Sequence, residues 1–171
     1  ALEVQVDLPS PSLPIDASEY DLYTMASTYF DLREFKRCAY FTRNCKTPCV
    51  QFLHYYSKYL EINGKHKLNY IPRSAAGIYI HNKEEYSNLC AIKKYNVLLT
   101  SMKDDYEAKK LDGYMLFLYG TLLAKMGHKS HALEAILQSV HKEPLLWCSW
   151  LQLMTLLVDK SMLLNLKLPE H

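Results

Sequence analysis

The sequence has little of what breaks helices or builds disulfide frameworks. Only 5 of its 171 residues are glycine, and three of its 7 prolines fall within the first 17 positions. Its 5 cysteines are irregularly spaced, and no Asn-x-Ser/Thr glycosylation acceptor occurs. No apolar run reaches the roughly 18 residues that a membrane-spanning helix needs. These scarcities argue against a disulfide-rich secreted domain and against a membrane partner, and they predict reduced thiols in the nucleus or cytoplasm.

The sequence also lacks a strong excess of charge of one sign. Its 20 Lys and Arg residues nearly balance its 18 Asp and Glu residues, which leaves a net charge of +2 and a pI near 8.2. Nucleic-acid-binding domains usually gather a larger basic excess on one face, whereas these basic residues are spread along the chain. We therefore expect no nucleic-acid partner.

Signatures of catalysis are missing as well. The sequence contains no Gly-rich phosphate loop, no His-Glu-x-x-His and no Gly-x-Ser-x-Gly motif, each of which would place reactive groups at a defined turn or helix face. Cys90 or Cys148 could pair with a distant His as a nucleophile, but no local signature supports that hypothesis. We expect no catalytic residue, no bound cofactor and no enzyme activity.

Cys45 and Cys49, with His54 nearby, are the candidates for a zinc site. Structural zinc sites usually use paired Cys-x2-Cys motifs, whereas three residues separate these cysteines and no second pair follows. Cysteine is also among the most frequently buried residue types. We interpret these residues as core thiols and predict no metal site.

A regular spacing of small residues dominates the last third of the chain. Gly120, Ala132 and Pro144 stand twelve positions apart, and Trp150 lies 34 positions after Leu116. This spacing is typical of the tetratricopeptide repeat, a helix–turn–helix unit of about 34 residues. Large apolar residues fill the spaces between its helices, and we assign that role to Leu116, Tyr119, Leu123 and Ile136, with Trp150 and Leu153 in the next unit.

The beginning of the chain follows the same rule more loosely. Ala26 takes the first small position, Tyr29 follows three residues later, and Cys38 takes the second small position twelve residues after Ala26. The sequence therefore predicts an all-α fold, a tetratricopeptide-repeat superhelix of antiparallel helix pairs. An ordinary helical bundle with small residues at these spacings by chance is the alternative.

The predicted organisation is an extended lead-in followed by a repeat array. The lead-in covers residues 1–17, and the array divides into 18–48, 49–110 with an insertion at 65–81, 113–144, and a partial unit at 145–171. Predicted helices span 20–30, 34–44, 49–62, 83–110, 113–126, 129–141 and 145–158, with a short one near Asp159. Ser18 and Asn82 are the predicted N-caps of the first and fourth helices, Thr47-Pro48 starts the third, and Asn63-Gly64 ends it.

Several stretches resemble one known family. They are Met25-Ala26, Tyr29-Phe30-Asp31, Glu34-Phe35, Leu111 to Tyr114, Leu118 to Gly120, Ala132, Pro144-Leu145, Trp147 to Trp150, Asp159-Lys160 and Leu166 to Pro169. Together they resemble the tetratricopeptide scaffold subunit eight of the anaphase-promoting complex, the cell-division-cycle protein twenty-three type. The resemblance does not extend to 65–81. It implies the N-terminal segment of a non-catalytic scaffold in a large nuclear ubiquitin ligase that drives the cell cycle.

The resemblance also implies partners. Subunits of this kind form V-shaped homodimers through their N-terminal repeats, so we expect a second copy of the chain and other subunits of the ligase as partners. The 14 tyrosines suit a protein interface, since tyrosine is apolar along its ring and polar at its tip. The predicted dimer interface contains Tyr23, Tyr29, Phe30, Tyr40 and Phe41.

A monomeric peptide-binding adaptor of another complex is the alternative function. Such a module needs Lys, Arg and Asn side chains converging from the first helices of its repeats. The predicted first helix, 20–30, contains none of these residues. The scaffold hypothesis is therefore favoured.

Overall fold

The fold consists entirely of helices across the residues that the structure describes. The computed structural model describes residues 15–68 and 80–157, with side chains for 15–64 and 89–157. Within these ranges there are seven helices and no strand. They are α1 (Ala17–Asp31), α2 (Phe35–Phe41), α3 (Pro48–Leu68), α4 (Ile80–Glu107), α5 (Gly113–Lys125), α6 (Lys129–Lys142) and α7 (Trp147–Leu156). The predicted all-α, tetratricopeptide-like architecture is confirmed.

The chain divides into two compact units, and the division falls within α4. Described residues 15–98 belong to one unit and described residues 99–157 to the other. Each unit builds its own core from helices that are neighbours in sequence. Short connections of this kind make consecutive helices pack as antiparallel pairs.

In the first unit, α2 packs against both α1 and α3. Ala26 of α1 and Cys38 of α2 have no exposed surface, so the two helices approach closely at small side chains. The large side chains of the core come from α3, where Val50, Phe52 and Leu53 are fully buried. The core of this unit therefore lies where α3 meets the first helix pair.

In the second unit, α5 and α6 form the most extensive helix contact, and α7 packs on both. A Cβ added at Gly120 of α5 would stand 2.7 Å from Ile136 and 3.2 Å from the carbonyl oxygen of Ala132. The close approach of α5 and α6 therefore depends on a residue without a side chain. Ser139 of α6 donates to the carbonyl oxygen of Gly113 at 2.6 Å, and its hydroxyl lies 2.7 Å from that of Ser149 in α7.

Three helices end in the same way. After α1, α4 and α5 a residue with positive φ follows the C-cap, namely Arg33 (59°), Lys109 (55°) and Gly127 (83°). In each case the amide of this residue and the amide of the residue after it donate to carbonyl oxygens of the last helical turn. After α1, for example, the N–H of Arg33 donates to Phe30 and the N–H of Glu34 donates to Tyr29. This is the Schellman motif, whose left-handed residue is usually glycine. Two of the three motifs use a long basic residue instead.

Three local predictions about helix ends were wrong. The N-cap of α1 is Asp16, which accepts from the amide of Ser18, so Ser18 is not the cap. Helix α3 continues through Gly64 to Leu68, because glycine only weakens a helix and packing of the preceding turns holds it. Helix α4 begins at Ile80, so Asn82 lies inside it.

The other predicted helices agree with the structure to within a few residues. The predicted start of the third helix is confirmed, since α3 begins at Pro48. The lead-in up to residue 14, the centre of the 65–81 insertion and the short helix near Asp159 lie outside the described residues. The repeat boundaries given above remain a prediction.

Candidate protein-interaction surface

Three aromatic side chains of α1 and α2 lie in one contiguous group. Tyr29 stacks on Phe41 with ring centroids 5.5 Å apart and ring planes 4° from parallel. Tyr40 meets the same Phe41 edge-on, also at 5.5 Å. We call these three residues the α1–α2 aromatic patch. Stacked and edge-on aromatic pairs each add roughly 0.5–1.5 kcal/mol beyond the burial of their area.

Two arginines flank this patch. The guanidinium carbon of Arg43 lies 4.2 Å from the ring centroid of Tyr40, and that of Arg37 lies 5.7 Å from the centroid of Tyr29. Arg37 also pairs with Glu34 at 3.1 Å. Arginine and aromatic residues are the types most enriched in the binding centres of protein interfaces. The composition of the patch thus matches that of a protein-contact surface.

The patch is only partly covered by the rest of the unit. Tyr40 is 58% exposed, while Tyr29 and Phe41 are half-buried. Apolar side chains elsewhere on the first helix pair are exposed as well, including Tyr20, Met25 and Leu32. Helix α1 buries only Ala26 completely. The first helix pair therefore keeps considerable apolar surface in contact with solvent.

The other two residues of the predicted interface lie elsewhere. Phe30 packs edge-on against Phe35, with ring centroids 5.5 Å apart, and stacks on Tyr56 of α3 at 5.9 Å. Tyr23 is half-buried, and burial raises the pKa of its phenol, with a further contribution from the nearby Cys49. The structure thus brings together three of the five predicted residues and directs Phe30 towards α3.

A buried histidine of α3, His54, links α3 to the C-terminal part of α2. Nδ1 of His54 donates to the carbonyl oxygen of Ala39 at 2.9 Å and lies 3.1 Å from the hydroxyl of Thr42. That hydroxyl donates in turn to the carbonyl oxygen of Cys38 at 2.8 Å. Burial lowers the pKa of His54 to about 4, assisted by the charge of Lys58. The neutral ring therefore holds the segment that carries Tyr40 and Phe41.

Two thiols of the first unit, those of Cys38 and Cys45, are buried rather than activated. Burial raises the pKa of both Cys38 and Cys45, although Cys38 also accepts a hydrogen bond from Ser57 at 3.0 Å. A nucleophilic cysteine needs a lowered pKa, because the thiolate is the reactive form. Within the described residues no group of three or more potential ligands could hold a metal ion. His54, one of the zinc candidates, uses Nδ1 to bond Ala39.

The predicted repeat-packing residues lie mostly at helix contacts. Ala26, Cys38, Ala132 and Ile136 have no exposed surface, and Leu116, Tyr119 and Leu153 are nearly buried. Leu123 and Trp150 are half-buried. The carbonyl oxygen of Pro144 accepts a hydrogen bond from Nε1 of Trp150 at 2.8 Å, which ties the α6–α7 connection to α7. The burial agrees with a packing role, and their assignment to repeat positions remains a prediction.

Sequence reasoning missed the two arginines, and it considered His54 only as a zinc candidate and not as a link between helices. Arg43 follows Tyr40 by three residues, a spacing that brings side chains together at a helix end, so the sequence did carry a signal for it. The bond between His54 and Ala39 joins residues 15 positions apart. It depends on how α2 crosses α3, which the sequence pattern does not specify.

Among the described helices, none combines the length and apolarity needed to cross a membrane.

Comparison with known proteins identifies the family. Residues 6–171 match the model of anaphase promoting complex subunit 8 / Cdc23. The chain is 35% identical over 162 residues to the human cell division cycle protein 23 homolog, covering 95% of this chain and 26% of that protein. It is 28% identical over 197 residues to the anaphase-promoting complex subunit CDC23 of Saccharomyces cerevisiae, covering 93% of this chain and 32% of the yeast protein.

A plant relative gives the same result. The chain is 28% identical over 160 residues to anaphase-promoting complex subunit 8 of Arabidopsis thaliana, covering 91% of this chain and 26% of the relative. The chain thus spans about a quarter to a third of the length of the relatives it matches. It belongs to the anaphase promoting complex subunit 8 / Cdc23 family.

Proposed function

We propose that this chain is a non-catalytic scaffold segment of the anaphase-promoting complex that assembles with a second copy of itself and with other subunits. The relatives are named as subunits of that complex, which supports the assembly role. The predicted nuclear and cytoplasmic location follows from that role. The raised pKa values of Cys38 and Cys45 argue against a catalytic role for these two thiols, because the reactive form of a cysteine is the thiolate.

The α1–α2 aromatic patch is the observation that carries the dimerisation part of the proposal. Its rings are pre-organised by stacking, so little conformational entropy would be lost when a partner covers them. Tyr40 offers more than half of its surface, and Arg43 extends the aromatic face with a cation. Because a twofold interface uses the same surface on both copies, an arginine of one copy can meet an aromatic ring of the other.

Light scattering over a wide concentration range tests this proposal. We expect a dimer that the double variant Tyr40→Ser/Arg43→Ser converts to a monomer with unchanged helical circular dichroism. Trp147→Ser is the matched control, because Trp147 is 68% exposed and lies in the other unit. The control should leave the dimer intact.

Two outcomes would count against dimerisation through this patch. A monomer at every concentration would favour the peptide-binding adaptor, and a dimer that tolerates the double variant would move the interface elsewhere. The scaffold role has its own test, co-sedimentation of the tagged protein with the other subunits in cell extract. Sedimentation as a free protein would contradict that role whatever the oligomeric state.

A further inference from the structure

Residues of α3 and α4 line an open cleft within the first unit. Its volume is about 340 Å3, and three apolar residues form its floor, namely Ile62, Val97 and Leu98. Ile62 and Leu98 are buried, whereas Val97 is 69% exposed. An exposed valine beside two buried apolar residues leaves a small hydrophobic surface that water covers poorly.

Positive charge surrounds this floor. Lys58 of α3 and the adjacent pair Lys93 and Lys94 of α4 line the cleft, and Glu61 is the one acidic side chain among its described lining residues. The two lysines of α4 are exposed, and neither makes a hydrogen bond or ion pair with another residue in the part of the chain described in side-chain detail. The described part of the lining therefore carries three cationic side chains and one anionic side chain.

The side chain of Lys58, which lines this cleft, lies over the aromatic ring of Tyr55. Its ammonium lies 5.8 Å from the ring centroid of Tyr55. Burial lowers the pKa of Lys58, and the charge of Glu61 only partly offsets that effect. An ammonium that has lost some of its water gains more from an approaching carboxylate than a fully hydrated one does.

The segment that connects α3 to α4 has no negative charge that could complement the lysines of the cleft. Residues 69–79, which join α3 to α4, contain Arg73 and no Asp or Glu. Residues 69–79 therefore do not supply an acidic occupant of the cleft. The cleft volume lies at the low end of the roughly 300–1,000 Å3 typical of ligand pockets, so it accommodates a few side chains rather than a folded domain.

We propose that the α3–α4 cleft binds a short acidic peptide segment of a partner protein. Carboxylates of the segment face Lys58, Lys93 and Lys94, and an apolar side chain next to them covers Val97. The apolar contact provides burial, while the lysines select for acidic sequences and accelerate the encounter. This surface is separate from the α1–α2 aromatic patch and does not depend on dimerisation.

Fluorescence anisotropy with the purified protein tests the proposal. The probe is a fluorescein-labelled pentapeptide, Asp-Glu-Leu-Asp-Leu, and its neutral counterpart is Asn-Gln-Leu-Asn-Leu. We expect saturable binding of the acidic peptide, weakened by salt, and at least about tenfold weaker binding of the neutral one. The variant Lys93→Glu/Lys94→Glu should weaken binding of the acidic peptide about tenfold or more.

The matched control is Lys109→Glu/Lys110→Glu, since these residues are also an adjacent exposed lysine pair but do not line the cleft. It introduces the same change in net charge and should leave affinity nearly unchanged. Val97→Ser should weaken binding several-fold, because it removes apolar surface from the floor. Equal losses in both lysine variants would show non-specific attraction and overturn the proposal, as would an absence of binding or indifference to Val97→Ser.

Discussion

The carboxylate of Glu19 in α1 accepts a hydrogen bond from the backbone N–H of Thr47, 28 residues later, at 3.0 Å. Its second oxygen accepts from the N–H of Lys46 at 2.7 Å. These amides precede the first residue of α3, Pro48, which has no N–H of its own. One side chain of α1 therefore satisfies the backbone at the start of α3 and sets where that helix begins.

The first prediction concerns this contact. Glu19→Gln keeps the size of the side chain but removes its charge and one of its two acceptors, so we expect the free energy of unfolding to fall by roughly 1 kcal/mol. Asp21→Asn is the control, because Asp21 is an exposed acid on the same helix. Urea denaturation followed by circular dichroism measures both. Equal stability of the two variants would contradict the assignment.

The same pair predicts a dependence on pH. Burial raises the pKa of Glu19, but hydrogen bonds from Thr47 and Lys46 outweigh it and hold the pKa below its ordinary 4.5. A lowered folded-state pKa contributes stability that is present above 4.5 and is lost as pH falls through the folded pKa. The stability difference between the parent protein and Glu19→Gln should therefore shrink in acid.

The second prediction uses the three helix ends of the Schellman type. Arg33→Gly should stabilise the protein by about 0.5–1 kcal/mol, because glycine adopts positive φ without the steric cost that a Cβ imposes. Lys109→Gly should act in the same direction. Gly127→Ala should destabilise by about 1 kcal/mol, since nothing lies within 4 Å of the added Cβ and only backbone strain changes. Thermal melts of the three variants measure these shifts, and a uniform sign across them would refute the argument.

The third prediction compares two glycines within helices. Gly120→Ala should destabilise by about 1–3 kcal/mol, because the added methyl meets Ile136 at 2.7 Å and must push α6 away. Gly64→Ala in α3 should stabilise by about 0.5–1 kcal/mol, since no atom lies within 4 Å of the new group. The combination Gly120→Ala/Ile136→Val should recover part of the loss by removing one clashing carbon. Chemical denaturation distinguishes these outcomes. An unchanged free energy of unfolding in Gly120→Ala would contradict the prediction, because it would show that α5 and α6 can move apart at little cost.

The fourth prediction concerns His54. Its folded-state pKa of about 4 lies below the ordinary 6.5, so the unfolded chain binds a proton first as pH falls. The contribution of the neutral ring is fully present above 6.5 and is lost between 6.5 and 4. His54→Asn can still donate to Ala39 and does not titrate. In urea titrations between pH 6.5 and 4, we expect the free energy of unfolding of the parent protein to fall more steeply with decreasing pH than that of this variant. An equal pH dependence of the two proteins would contradict the lowered pKa of His54.

Two kinds of residue show where sequence reasoning succeeded and where it failed. Gly120 and Ala132 were identified because close helix contact requires small side chains, and this requirement leaves a spacing in the sequence. Gly64 was misread as a helix stop: its φ lies outside the left-handed region that a glycine adopts where it ends a helix, and α3 continues past it. All three residues of the aromatic patch, Tyr29, Tyr40 and Phe41, were among the five that the sequence analysis predicted for the interface. Phe30 has the same character in sequence, but in the structure it packs against Phe35 and Tyr56.

The sequence by itself determined the all-helical class and the pairing of successive helices, because these follow from local periodicity and from the spacing of small and large residues. It also identified the family, through the resemblance of particular stretches to known members. The tertiary structure decided which helix ends are held, which aromatic rings remain exposed and which lysines share a cleft. The bonds of Glu19 to Thr47 and of His54 to Ala39, and the grouping of Lys58 with Lys93, join residues far apart in the chain. Such contacts depend on how helices cross, and crossing geometry results from the packing of whole side chains rather than from any local pattern.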